Sequence, residues 1–218
     1  SLIGMTANSI RQASASVARG EARARILSAA IAAFAEHGFA AVGPRHVAEQ
    51  AGLNHSLVSY HFKSMEALWR EAVSSLFEAF RAQLIRRFAG LDGLDAETRL
   101  TIVIEDLVAH ARDNPALHQI MLHEGSRMSP RLGWLVETQL RPMFGMARTM
   151  IEAGQAAGRV RQFDADLLYY AMIALAATPF SLKAEYGAVT GRDPDHLTRQ
   201  IVAMIRCLLF VEDAGGRA

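Results

Sequence analysis

Between Ala51 and Met65 the chain carries no carboxylate, yet it gathers Asn54, His55, Ser56, Ser59, Tyr60, His61 and Lys63. Placed on a helix at 100° per residue, His55, Ser59, Lys63, Ser56 and Tyr60 share about 140° of arc. Leu57, Val58 and Phe62 fall on the other side. Hydroxyls, imidazoles and one ammonium can donate to phosphate oxygens and reach base edges, where an acid would be repelled. A solvated face of an ordinary helix accounts for outward polar residues equally well. The surroundings must decide.

Those surroundings are helical. Apolar residues recur at helical rather than alternating spacing along almost the whole chain. The first helix is predicted over Glu21–His37, with Ile26, Ala29, Ala30, Ala33 and Phe34 on one face and Gly38 beyond its end. Gly43 and Pro44 start a second, ending at Ala51 before Gly52. Asn54, a good N-cap, starts a third, running to His61 or Phe62. Small Ala48 and Ala51 sit where the two short helices must cross, the pattern of a helix-turn-helix. Ser64 caps a long fourth helix, broken at Gly90 and Gly93. Further helices are expected at Ala96–Asp113, Pro115–Arg127, Pro130–Ala157 (kinked at Pro142), Asp164–Tyr186 (kinked at Pro179) and Pro194–Val211. That makes nine helices and no sheet.

At this point the sequence resembles the tetracycline-repressor-like (TetR) family of bacterial transcriptional regulators. The resemblance is close over about Ala22–Leu68 and elsewhere extends only to an all-helical plan. It rests on Ile26–Ala33–Phe34–Gly38–Phe39, Arg45-x-Val47-Ala48 and Ala51-Gly52-Leu53. It continues in Leu57-Val58-x-Tyr60-His61-Phe62 and Lys63-Ser64-x-Glu66-x-Leu68. The resemblance implies that the third helix reads DNA, with His55, Ser56 and Ser59 facing bases and Arg45, Tyr60, His61 and Lys63 meeting phosphates; Asn54 is counted with them. The helical arc instead puts His61 nearer the buried side, and both roles stay open for it. Three departures remove contacts: Val42 and Gly43 replace the usual Ser or Thr, Ser59 replaces a frequent Tyr, and Met65 replaces a frequent Lys. Binding is therefore expected to lean on Arg45, Lys63 and the N-terminal arm.

The implied layout is an all-α chain with a flexible arm at 1–18, a three-helix DNA-binding domain at 19–66, and an effector-binding and dimerisation domain at 67–218. Arg11 and Arg19 on the arm are candidates for phosphate or minor-groove contact, with a solubilising tail as the alternative. In the family the last two helices commonly pair as a four-helix bundle. Leu167, Leu168, Ala171, Ala174, Leu175, Ile201, Met204, Ile205, Leu208 and Leu209 are too many apolar positions for one face on each helix, and burial within one chain is the alternative. An effector pocket for a small apolar or amphipathic molecule is expected among His118, Met121, Leu122, Trp134, Met143, Phe144, Met146, Met150 and Phe180, with plain core as the alternative.

Composition narrows the classes. The 218 residues are 51% hydrophobic and 21% charged with a formal net charge of +1, so the chain is not a uniformly basic coat. Residues 1–63 carry a net +3 and the remainder −2, favouring an N-terminal anionic partner. One cysteine, Cys207, excludes an internal disulfide and a cysteine-based zinc site, and fits a cytoplasmic location. His118, His123 and Glu124 do not converge as metal ligands, because their spacing spreads the rings about 140° apart. The apolar run Leu167–Phe180 is too short to cross a bilayer, and Ser1–Ala18 lacks a signal-peptide core. No phosphate loop, nucleophile elbow or metal motif is present, so neither an enzyme nor a cofactor is expected. The expected function is a homodimeric repressor released from a near-palindromic operator by a small molecule. The alternatives are a helix-turn-helix module that binds protein, or a ligand-binding protein that does not read DNA.

Overall fold

The computed structural model describes residues 7–89 and 93–211, with side chains from Ser16 onward. Every regular element among them is helical, save one isolated bridge between Val160 and Phe210. The α-helices are α1 (Ala7–His37), α2 (Pro44–Ala51), α3 (His55–His61), α4 (Met65–Phe88), α5 (Ala96–Asp113), α6 (Ala116–Gly125), α7 (Pro130–Leu135), α8 (Arg141–Ala156), α9 (Ala165–Ser181), α10 (Lys183–Thr190) and α11 (Thr198–Leu209). Two compact units divide the chain, Ser1–Ser75 and Leu76–Ala218, and α4 runs through the division. The expected boundary lay nine residues earlier because it was drawn at the head of α4.

In the first unit the apolar stripe of α1 packs on α2 and α3. Ile26, Ala30, Phe34, Val47, Leu68 and Trp69 are wholly buried, and Val58 and Phe62 nearly so. Helix α1 begins at Ala7, not near Glu21, so much of the stretch expected as an irregular arm is helical. The side chain of Arg11 lies outside the described residues.

The second unit is built around α5 and α9. Leu100, Ile104, Leu107, Val108 and Ala111 of α5 join Leu168, Met172, Ala176, Ala177 and Phe180 of α9, Ile201, Ile205 and Leu209 of α11, Ile151 of α8 and Phe80 of α4. Asp95 and Asp164 cap α5 and α9, accepting from Thr98 N–H at 2.9 Å and from Asp166 and Leu167 N–H at 2.9 Å. The bridge staples the α8–α9 connection to the end of α11, with Arg161 N–H donating to the Leu209 carbonyl at 2.8 Å. Gly154 lets Val160 approach, since a Cβ there would stand 2.5 Å from a Val160 methyl.

Two expected kinks take other forms. The helix expected over Pro130–Ala157 runs on through a π-helical stretch at Val136–Leu140 into α8, and Pro142, the second residue of α8, follows that stretch directly. Pro179 stays inside α9. The chain turns instead at Leu182, and α10 leaves at 69° to α9. Eleven α-helical segments replace the nine expected. No single helix among the described residues is long and apolar enough to cross a membrane.

Burial, and after it the nearby His110, pushes the His118 imidazole from its ordinary 6.5 down to about 4. Between those values the unfolded chain binds a proton that the folded chain refuses. Stability from this group is therefore complete above pH 6.5 and is lost as pH falls toward 4. Urea unfolding from pH 7.5 to 4 should lose up to about 3 kcal/mol through this window. His118→Gln should flatten the loss, and an unaltered profile in that variant would sink the assignment.

Candidate nucleic-acid interface

Gly52 makes the turn between α2 and α3. Its φ of 62° lies in the left-handed region, and Leu53 N–H reaches back to the Ala48 carbonyl at 2.9 Å while Gly52 N–H reaches that of Glu49 at 3.0 Å. The carbonyls at the end of α2 are held from α1: Arg25 Nη2 donates to Ala51 O at 2.5 Å and to Gly52 O at 3.3 Å. Two residues later Asn54 starts α3, its Oδ1 accepting from both the N–H and the hydroxyl of Ser56 at 3.0 Å. The hydroxyl proton of Ser56 is thereby engaged, and its lone pairs are what it presents outward. Ser64 Oγ accepts from Ala67 N–H at 3.0 Å and opens α4.

The outer face of α3 follows the helical arc. His55, Ser56, Ser59, Tyr60 and Lys63 are exposed, as is Asn54, while Val58 and Phe62 are 2% and 5% exposed. Arg45, at the second position of α2, is exposed too. His61 is half-buried and stands edge-on to Tyr60, their ring centres 5.1 Å apart. That intermediate placement keeps both of its roles available.

Not all the N-terminal positive charge is available to a partner. Arg23 pairs with Glu71 at 2.6 Å and lies over the Phe62 ring, 5.0 Å from its centre. Arg25 is committed to the turn. Arg45 and Lys63, by contrast, make no hydrogen bond or ion pair among the described residues. Arg19 is exposed on α1. Of the departures noted in the sequence, Val42 is buried, Gly43 caps α2 without a side-chain bond, and Met65 is half-buried. The work of Arg25 was missed at the level of sequence, because its partners lie 26 and 27 residues away and nothing local marks them.

The residues singled out in the second unit scatter. Phe180 belongs to the core, Leu122 and Met146 are exposed, and His118, Met121, Trp134, Met143, Phe144 and Met150 are half-buried. None lines either of two surface clefts, one of about 520 Å³ between α9 and α10 and one of about 150 Å³ between α9 and α11. Phe180 of α9 lies in the core of this unit, and Met143 and Met150 of α8 pack against that core. Leu168, Ile201 and Ile205, expected at a dimer interface, are likewise corrected to the core, as is Leu209. Leu167 and Met204 are 61% and 57% exposed, Ala174 is exposed, and Ala171, Leu175 and Leu208 are half-buried. Tyr170, 67% exposed on the same side of α9 as Leu167 and Ala174, was missed. Among the described residues no group of three or more His, Cys, Asp or Glu could hold a metal ion.

Comparison with known proteins follows this division. Residues 26–72 match the family model of bacterial regulatory proteins, tetR family. A probable HTH-type transcriptional regulator, YttP of Bacillus subtilis (strain 168), is 21% identical over 131 residues, 60% of this chain; the match spans 63% of that relative's length. Among solved structures, a Clostridium perfringens putative fatty acid metabolism regulator is 17% identical with a TM-score of 0.69, covering 86% of this chain and 100% of its own. The ketosteroid transcriptional regulator KstR2 of Mycobacterium tuberculosis is 21% identical with a TM-score of 0.68, covering 87% and 95%. These two likenesses are of fold.

The turn can be tested by itself. A methyl at Gly52 would be strained at that φ and would meet Arg25 Nη2 at 3.0 Å. Gly52→Ala should lower unfolding stability by about 1–2 kcal/mol. Gly20→Ala, in open space within α1, should raise it by about 0.5–1 kcal/mol. Equal effects in urea titration would contradict the left-handed turn.

Proposed function

This chain belongs to the tetR family of bacterial regulatory proteins as a helix-turn-helix transcriptional regulator, and from that premise we propose that it is a homodimeric, cytoplasmic repressor released from a near-palindromic operator by a small apolar or amphipathic molecule. The observation that carries the reading is the outer face of α3: exposed, free of acids, and flanked by the uncommitted cations Arg45 and Lys63. Phosphates would set the register through Arg45, Tyr60 and Lys63, with His61 beside them. His55, Ser56 and Ser59 would reach base edges, with Asn54 holding the start of the helix.

Pairing of two copies is supported by the face that α9 and α11 leave open. Leu167, Tyr170, Ala174 and Met204 are exposed there beside half-buried Ala171, Leu175 and Leu208, more apolar surface than a solitary helix pair usually offers to water. A twofold pair would set two α3 helices on successive major grooves. Effector control needs an element common to reader and core. Helix α4 starts at Met65 beside α3 and carries Phe80 in the core of the second unit. A molecule that repacks that core would favour a state in which the two readers no longer match the operator. An apolar effector also accords with the fatty acid and ketosteroid regulators that share the fold. The family is non-enzymatic.

Selection from a random duplex pool should return an inverted repeat whose half-site centres lie about 34 Å, or a multiple, apart. Arg45→Ala and Lys63→Ala should each weaken binding on every sequence and reduce the salt slope by about one. Ser59→Ala should instead relax preference at one position of each half-site. A folded protein that selects no sequence and passes heparin at low salt would favour the protein-binding alternative.

A further inference from the structure

The Asn54 side chain meets the Ser56 backbone N–H at 3.0 Å, and a backbone N–H can only donate, so the amide end turned inward is Oδ1. Ser56 Oγ stands 3.0 Å from the same atom. A carbonyl oxygen carries no hydrogen, so the serine must spend its single proton there. What the head of α3 shows outward is thereby fixed at both residues. Ser56 offers lone pairs alone. The Asn54 amide, held with its oxygen inward, offers the two hydrogens of Nδ2, which meet no acceptor among the described residues. Both residues are exposed.

An acceptor-only hydroxyl discriminates among the groups of a DNA duplex. Phosphate oxygens, guanine O6 and N7, and thymine O4 all accept, and each would face the Ser56 lone pairs with no proton between them. Exocyclic amines remain: N6 of adenine and N4 of cytosine. The Asn54 donors separate those two. In the major groove adenine sets its N7 acceptor beside its N6 amine, whereas cytosine presents the amine alone. Ser59, one turn along the same exposed face, makes no hydrogen bond among the described residues. Its hydroxyl proton is uncommitted, so Ser59 can donate or accept and does not carry this discrimination.

We propose that Asn54 and Ser56 together read one adenine per copy of α3, Asn54 Nδ2–H donating to N7 while Ser56 Oγ accepts from the N6 amine. Ser56 is then a specificity-determining residue and not a phosphate contact. Asn54 serves twice: its Oδ1 holds the serine proton and starts α3, and its Nδ2 touches the base. Guanine in that place would set O6 against the Ser56 lone pairs, and relieving the repulsion would require the serine to release Asn54. The assignment deepens the function proposed above and rests on α3 being the DNA reader.

The test binds the full chain to the operator selected from the random pool, with single adenines replaced by purine, which lacks the N6 amine, or by 7-deazaadenine, which lacks N7. Ser56→Ala leaves the Asn54 cap on the backbone N–H in place. It should weaken the unmodified duplex about tenfold, relax preference at an adenine, and lose nothing further when purine stands there. Asn54→Asp keeps a capping oxygen for Ser56 but has no donor. It should become indifferent to 7-deazaadenine at that position while remaining sensitive to purine. Because the aspartate adds a charge, the quantity compared is the ratio between duplexes within each variant. Preference relaxed at any other base, operator binding unchanged by Ser56→Ala, or losses from variant and analogue that add independently would each overturn the assignment and leave the repressor reading standing. A folded chain that selects no sequence would remove both. An adenine effect confined to one half-site would keep the base assignment and count against twofold pairing.

Discussion

Gly52 can hold a φ of 62° without the crowding a side chain would bring, and what the first unit offers to a partner follows from that turn. The turn ends α2, sets Asn54 at the head of α3, and so decides which side of a seven-residue helix faces out. So short a helix has little stability of its own. It is held by Val58 and Phe62 beneath, by the Asn54 cap at one end, and by Arg25 reaching from α1 to the carbonyls behind it. Moving the turn would move every side chain proposed to meet DNA together.

Much of that unit was readable in the residues, because its signals are local. Gly52 after Ala51, Asn54 before His55 and Ser64 before a long apolar run are each caps acting within three or four residues. The split of α3 into an inner Val58–Phe62 side and an outer polar side follows from period alone. The role of Arg25 does not, because a guanidinium on the first helix carries no mark of the carbonyls it will meet. Nor could charge counting reveal that Arg23 is neutralised by Glu71 and lies against Phe62.

The second unit was less legible for a different reason. Helix α9 is apolar nearly all round, so period cannot tell Leu167, which is exposed, from Leu168, which is in the core. The same ambiguity covers Met204 and Ile205 on α11. Proline marked irregularity without fixing its form. Pro142 reads as a kink, and the helix meets it with a π-helical stretch at Val136–Leu140 just before it. Pro179 stays within α9, and its missing N–H leaves the Leu175 carbonyl without its helical donor while the chain bends three residues later. Methionine and aromatic spacing describes core and cavity alike, so spacing alone could not mark a pocket among these residues.

The inward faces of α9 and α11 have a consequence for how the molecule behaves on dilution. Leu168, Met172, Ile201, Ile205 and Leu209 are satisfied within a single chain, against α5 and α8, before any second copy arrives. Separated protomers would thus remain folded, and the melting temperature of the second unit would barely follow protein concentration. In the proposed dimer, folding and pairing would then be separate equilibria. The proportion of paired chains would follow protein concentration without exposing unfolded chain to proteolysis.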